Sequence, residues 1–77
     1  MVQRNFWGNL IRELRVKKKL SQRRLARSAD VNRSTLRAIE AGNTTGDIVT
    51  IERLLEALGY ELAALESQVR DEQMEAA

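Results

Sequence analysis

The sequence predicts an all-α fold, a bundle of four to five short helices. Three observations carry that expectation. The chain has no proline and only four glycines in 77 residues, so little interrupts a helix. Its apolar residues recur mainly at helical spacing. Ser21, Asn32 and Asp47 stand as N-cap residues before three of the apolar runs, and Gly42 and Gly59 stand as stops after two. The length suits one domain, and a core this small is marginal by itself, so a second copy is expected to add stability.

The first helix is expected from about Asn5 to Lys18. Phe6, Leu10 and Leu14 with the adjacent Trp7 and Ile11 form its apolar stripe, and Lys17, Lys18 and Lys19 sit where cations favour the negative end of the helix dipole. Ser21 caps a second helix from Gln22 to about Ser28, with Arg24 rather than Glu three places on, so the reciprocal capping box is absent. Leu25, Ala26 and Ala29 face inward. A turn of Ala29, Asp30 and Val31 leads to the cap Asn32 and a third helix reaching about Ala41, with Leu36 and Ile39 inward. The loop Asn43-Thr44-Thr45-Gly46 holds turn-forming residues only. Asp47 caps a fourth helix to about Leu58, whose apolar face is Ile48, Ile51, Leu54, Leu55 and Leu58. After Gly59 the pattern divides: Tyr60, Leu62 and Ala64 alternate as a strand would, while Leu58, Leu62, Leu65 and Val69 keep helical spacing.

The net charge of +2 conceals a division. Residues 1–45 carry eleven Lys/Arg against Glu13, Asp30 and Glu40, a balance of +8; residues 46–77 carry two against eight acids, a balance of −6. The front half is suited to an anionic partner and the rear half is not. The absence of Cys and His excludes disulfides, thiolate and imidazole metal sites, cysteine nucleophiles and Ser-His-Asp triads. The carboxylates are scattered, without a glycine-rich phosphate loop or a set of metal ligands, so no enzyme and no cofactor is expected. No apolar run approaches a membrane span, and Arg4, Arg12 and Glu13 break the pattern of a signal peptide. The expected compartment is the cytoplasm, with no membrane partner.

Two short helices joined by a three-residue turn, the second capped and rich in polar side chains, describe a helix-turn-helix. Ala26 is small where the helices approach. Asp30 occupies the turn position at which a positive φ is usual, which Asp tolerates better than most residues. The run LSQRRLARSADVNRSTLRAIEAGN, from Leu20 to Asn43, resembles the Xre/lambda-repressor/Cro type of DNA-binding domain. The likeness lies in the Ser-Gln opening, the Leu-Ala pair, the Ile-Glu-x-Gly ending and the distance from Gly42 to Gly59. It extends over Ile11 to Gly59. Asp30 stands where that family has Gly, and Gly46 where it often has Pro; each change is expected to alter turn stability by about 1 kcal/mol or less.

The resemblance implies a lambda-repressor-like bundle whose third helix lies in the major groove of double-stranded DNA. Asn32, Arg33, Ser34, Arg37 and Ala38 match the family's base readers. Helical geometry agrees, because positions 33, 34 and 37 point away from 36 and 39. Arg33 or Arg37 can pair bidentately with guanine, and Ala38 can meet a thymine methyl. Gln22 matches a position that contacts phosphate and braces the first base reader. Lys19, Arg23, Arg27, Asn43 and Thr44 are the further candidates for phosphate contact. Arg15 and Glu40 match a structural ion pair between the first and third helices.

A single small module makes few contacts, so a homodimer on a near-palindromic site is expected, through Leu58, Tyr60, Leu62 and Leu65. Leu58-Gly59-Tyr60-Glu61-Leu62 resembles the tail of Hip-type antitoxins, in which a strand pairs with its twin; this tilts Tyr60 to about Glu66 toward strand over a fifth helix. That likeness would imply a toxin partner as well. The division expected is 1–59 for the helix-turn-helix unit, 60–70 for dimerisation and 71–77 for a flexible tail. The function expected is a sequence-specific DNA-binding transcriptional regulator, a repressor by preference, with an antitoxin or a protein-interaction scaffold as the alternatives.

Overall fold

A computed structural model describes residues 6–61, 64, 65 and 67. These form four α-helices: α1 (Phe6–Lys17), α2 (Gln22–Ala29), α3 (Arg33–Glu40) and α4 (Ile48–Ala57). The caps read from sequence are in place. The Ser21 side chain accepts the Arg24 N–H at 3.0 Å, Asn32 Oδ1 accepts that of Ser34 at 2.8 Å, and Asp47 Oδ1 accepts that of Thr50 at 2.7 Å. Each satisfies a donor the helix itself leaves open.

All four helices of the described residues end in the same way. A residue with left-handed backbone follows each, and two crossed hydrogen bonds close the last turn. Lys19 donates to Val16 at 2.9 Å and Leu20 to Arg15 at 3.1 Å; Asp30 donates to Arg27 at 3.3 Å and Val31 to Ala26 at 2.9 Å. Gly42 and Gly59 hold the equivalent places after α3 and α4, with φ of 80° and 90°. The first two helices manage without glycine: Lys19 has φ 58° and Asp30 φ 56°. The sequence pattern indicates Asp30, but nothing in it singles out Lys19.

The core is Ile11 of α1, Leu25, Ala26 and Ala29 of α2, Leu36 and Ile39 of α3, and Ile51, Leu54, Leu55 and Leu58 of α4 and its end. Trp7, Leu14, Leu20 and Val31 pack around it half-buried, and Trp7 meets Phe6 edge to face at 5.1 Å between ring centres. Helix α2 packs on α3 and α4, and α1 packs on α3. The α1–α3 approach depends on Gly8, which the apolar stripe gives no reason to notice. A β-carbon there would collide with the Ile39 carbonyl oxygen and stand 3.0 Å from its carbon.

Three expectations need correction. Ile48, placed on the inward face of α4, is 65% exposed, and Val49 beside it is 53% exposed. The helical spacing continues to the first turn of α4, but none of the described residues covers it there. Leu58, expected at a subunit interface, is 0% exposed and belongs to its own protomer's core. The tilt toward strand also fails where the segment is described: Ala64, Leu65 and Ser67 are helical, and the Leu65 N–H donates to the Glu61 carbonyl at 3.2 Å. Ala, Leu and Glu favour helix, and a helix satisfies its backbone groups within the segment. Leu62 and residues 71–77 lie outside the described residues.

Candidate nucleic-acid interface

The helix order brings the starts of α2 and α3 to one side of the molecule. An open cleft there is lined by Arg15, Ser21, Gln22, Arg23 and Arg33. A second, beside it, is lined by Ser21, Arg23, Arg24 and Arg27. No acidic side chain lines either one. Ser21 joins them because its cap places it at the positive end of α2, where backbone N–H groups and guanidinium groups converge on the same space. An anion is the complementary occupant.

Beneath the first cleft lies Glu40. Arg15 Nε donates to Glu40 Oε2 at 2.8 Å and Arg15 Nη2 to Oε1 at 2.9 Å, a two-pronged ion pair with side chains 14% and 3% exposed. Arg15 Nη1 also donates to the Leu20 carbonyl at 2.8 Å, so one guanidinium joins α1, the turn after it and α3. Gln22 Nε2 adds a third donor to Glu40, reaching Oε1 at 3.1 Å. Burying an acid under a cationic cleft works here because its charge is matched and its oxygens are hydrogen-bonded.

Arg33, Ser34 and Arg37 of α3 are exposed, Ala38 is half-buried, and the cap Asn32 is exposed. Leu36 and Ile39, on the opposite side of the helix, are in the core. Among the base-reader candidates only Arg33 reaches the cleft that Gln22 and Arg23 line. Arg27 lines the second cleft, and Lys19, Asn43 and Thr44 are exposed on neither. Arg24, Ser21 and Arg15 line these clefts in addition to the sequence-derived candidates. The cap preference of Ser is a signal for Ser21; the exposed edge of Arg15 becomes visible only once α1 meets α3. The turn between the helices is further tied by Arg53 Nη1, a long 3.5 Å from the Asp30 carbonyl.

Tyr60 and Leu65, the described interface candidates other than Leu58, are half-buried against the core. The Tyr60 ring also lies under Lys18, whose Nζ is 5.9 Å from its centre. Among the described residues, no group of three or more acidic or other ligating side chains is placed to hold a metal ion, and no helix is long and apolar enough to cross a membrane.

Compared with known protein families, residues 8–69 match the model described as a helix-turn-helix domain. No curated protein and no solved structure matches the chain. The matched span contains α2, the Asp30 turn, α3 and both arginine-lined clefts, and the chain belongs to the helix-turn-helix domain family, a class of DNA-binding regulators.

Proposed function

We propose that the protein is a sequence-specific, double-stranded-DNA-binding transcriptional regulator of the Xre/Cro type, a repressor that acts as a homodimer. The observation that supports this most is the outward side of α3. Arg33, Ser34 and Arg37 are exposed together, beside a cleft whose lining is polar and cationic. A protein-binding face would centre instead on aromatic and aliphatic residues. In this reading α3 enters the major groove, Arg33 and Arg37 read guanines, and Asn32, Ser34 and Ala38 complete the base contacts. Gln22, Lys19, Arg23, Arg27, Asn43 and Thr44 fix the register on the phosphates. Two copies related by a twofold axis would set their α3 helices about 34–36 Å apart, one turn of DNA. Tyr60, Leu62 and Leu65 are the interface residues of the proposed dimer.

Selection from a random-sequence duplex pool tests the proposal. The expected result is an enriched inverted repeat, with affinity that falls by about 0.9 log units per log unit of salt for each phosphate neutralised. Arg33→Ala should weaken binding to the selected duplex far more than to random duplex. No enrichment together with a flat salt response would overturn the proposal in favour of a protein-interaction scaffold.

A further inference from the structure

The arginine-lined face and the acidic rear of the chain meet where α4 ends. Lys18, in the turn after α1, has its Nζ 5.9 Å from the Tyr60 ring centre, and a β-carbon on Gly59 would lie 3.3 Å from the same nitrogen. The end of α4 therefore adjoins the end of α1. Ser21, which lines both clefts, follows Lys18 by three residues, about 11 Å at full stretch. The Leu65 N–H donates to the Glu61 carbonyl and its side chain packs against the core, which keeps the chain on the body of the protein for one turn more. Ten residues then lead from Leu65 to Glu75, a reach of about 33 Å. Asp71, Glu72 and Glu75 lie on that stretch, and Arg70 is the only base after Arg53. Arg23, Arg24, Arg27 and Arg33 line the clefts. Among the described residues none of their guanidinium groups donates a hydrogen bond or joins an ion pair.

We propose that the acid-bearing segment 68–77 occupies these clefts in the free protein and is displaced by DNA, so that the chain competes for its own DNA-binding face. The proposal rests on the reading of that face as the DNA interface, although the contact itself can be observed without DNA. Tethering gives the segment a local concentration on the order of mM. Each exposed carboxylate–guanidinium pair is weak and screened by salt. The segment is therefore held well enough to lower the affinity for DNA and loosely enough to yield to it. A duplex presents one phosphate charge about every 1.7 Å of its axis, which three carboxylates do not match. A covered fraction of about 80% would lower the apparent affinity about fivefold.

Two variants of the whole 77-residue chain test this, each removing three acids and so raising the net charge equally. One carries Asp71→Asn, Glu72→Gln and Glu75→Gln. The control carries Glu52→Gln, Glu56→Gln and Glu61→Gln, all exposed and on or just past α4. At about 50 mM salt the first should bind random duplex about fivefold more tightly than the control. The difference should fall below about twofold at about 300 mM, as screening releases the segment in the control. Without DNA, the amide NMR signals of Ser21, Arg23, Arg24 and Arg27 should shift between wild type and the first variant, by an amount independent of protein concentration. They should stay in place between wild type and the control. Equal affinities of the two variants, or shifts confined to Lys17, Lys18 and Lys19, overturn the inference. Shifts that grow with protein concentration would put the segment on a second copy and overturn it as well. Failure of all three proteins to bind duplex removes the proposed function, whatever the amide signals do. Unshifted amides in proteins that do bind duplex remove the inference alone.

Discussion

Gly8 of α1 lies directly against the main-chain carbonyl of Ile39 in α3, so closely that a single methyl group cannot be inserted. This contact sets how near α1 comes to α3, and so whether Arg15 can reach Glu40. Gly8→Ala separates two opposing effects. Alanine favours helix over glycine by about 1 kcal/mol. Overpacking against a backbone that has no rotamer to yield costs about 1–3 kcal/mol and reaches the upper end here. The variant should be less stable by about 1–2 kcal/mol net, seen as a lower urea midpoint at unchanged slope. Equal or higher stability would show that the helices part without cost.

The Arg15–Glu40 pair makes a second prediction. Arg15→Met leaves the nearly inaccessible Glu40 carboxylate with only the Gln22 amide as donor. The loss should approach the lower end of the roughly 3–5 kcal/mol seen when a buried pair is broken, because the Arg15 side is partly open to water. Arg15→Met combined with Glu40→Leu should regain much of it, since no charge is then stranded. Thermal melting of the two variants checks this; a double variant no better than the single one would place the value in the pair itself.

Lys19 carries a β-carbon in left-handed backbone, with φ 58°. That conformation costs about 1–2 kcal/mol, and the freedom glycine adds to the unfolded chain offsets about 0.4–1 kcal/mol of any gain. Lys19→Gly should therefore raise stability by about 0.5 kcal/mol, a few degrees in melting temperature at most. If Lys19 meets a phosphate, the same variant should lose about 0.9 from the slope of log affinity against log salt. Stability and DNA binding would then move in opposite directions; a variant that gains in both would show that the lysine serves neither.

Asp47 gives the pH dependence. The Thr50 backbone N–H, first of all, then the Thr50 hydroxyl and the nearby Arg53 charge, hold its carboxyl below the ordinary value of 3.8. A carboxyl lowered on folding stabilises the fold fully above its unfolded value and loses that contribution as pH falls through the folded one. Asp47→Ala should thus be less stable than wild type at neutral pH, with the gap narrowing below about pH 4 as the wild-type carboxylate protonates. Asp47→Asn, which keeps an acceptor at the cap, should lose less. Unfolding curves across the acid range check both, and a gap that is constant with pH would mean the charge plays no part.

Much of the site was legible before any coordinates. Ser21, Asn32 and Asp47 could be read as caps because their side chains compete for the backbone N–H groups that every helix start leaves open. The outward set Arg33, Ser34 and Arg37 follows from the inward Leu36 and Ile39 on a helix of known period. These are local properties, carried by residues within a turn or two of one another. The errors fall where burial depends on what else arrives. Ile48 has the spacing of a core residue but is left 65% exposed, and Leu58 looks available to a partner but is enclosed by its own chain.

The sequence by itself determined where helices start and stop, which faces are apolar, and that positive charge gathers in the front half. Only the tertiary structure decided that Gly8 is a contact point, that Arg15 of the expected ion pair also borders the cleft, and that Gln22 turns its amide nitrogen toward an acid 18 positions along the chain. The physical reason is range. Capping and periodicity act over a few bonds and leave their mark on neighbouring letters, whereas close approach and the sharing of a buried charge exist only after distant segments have been packed together.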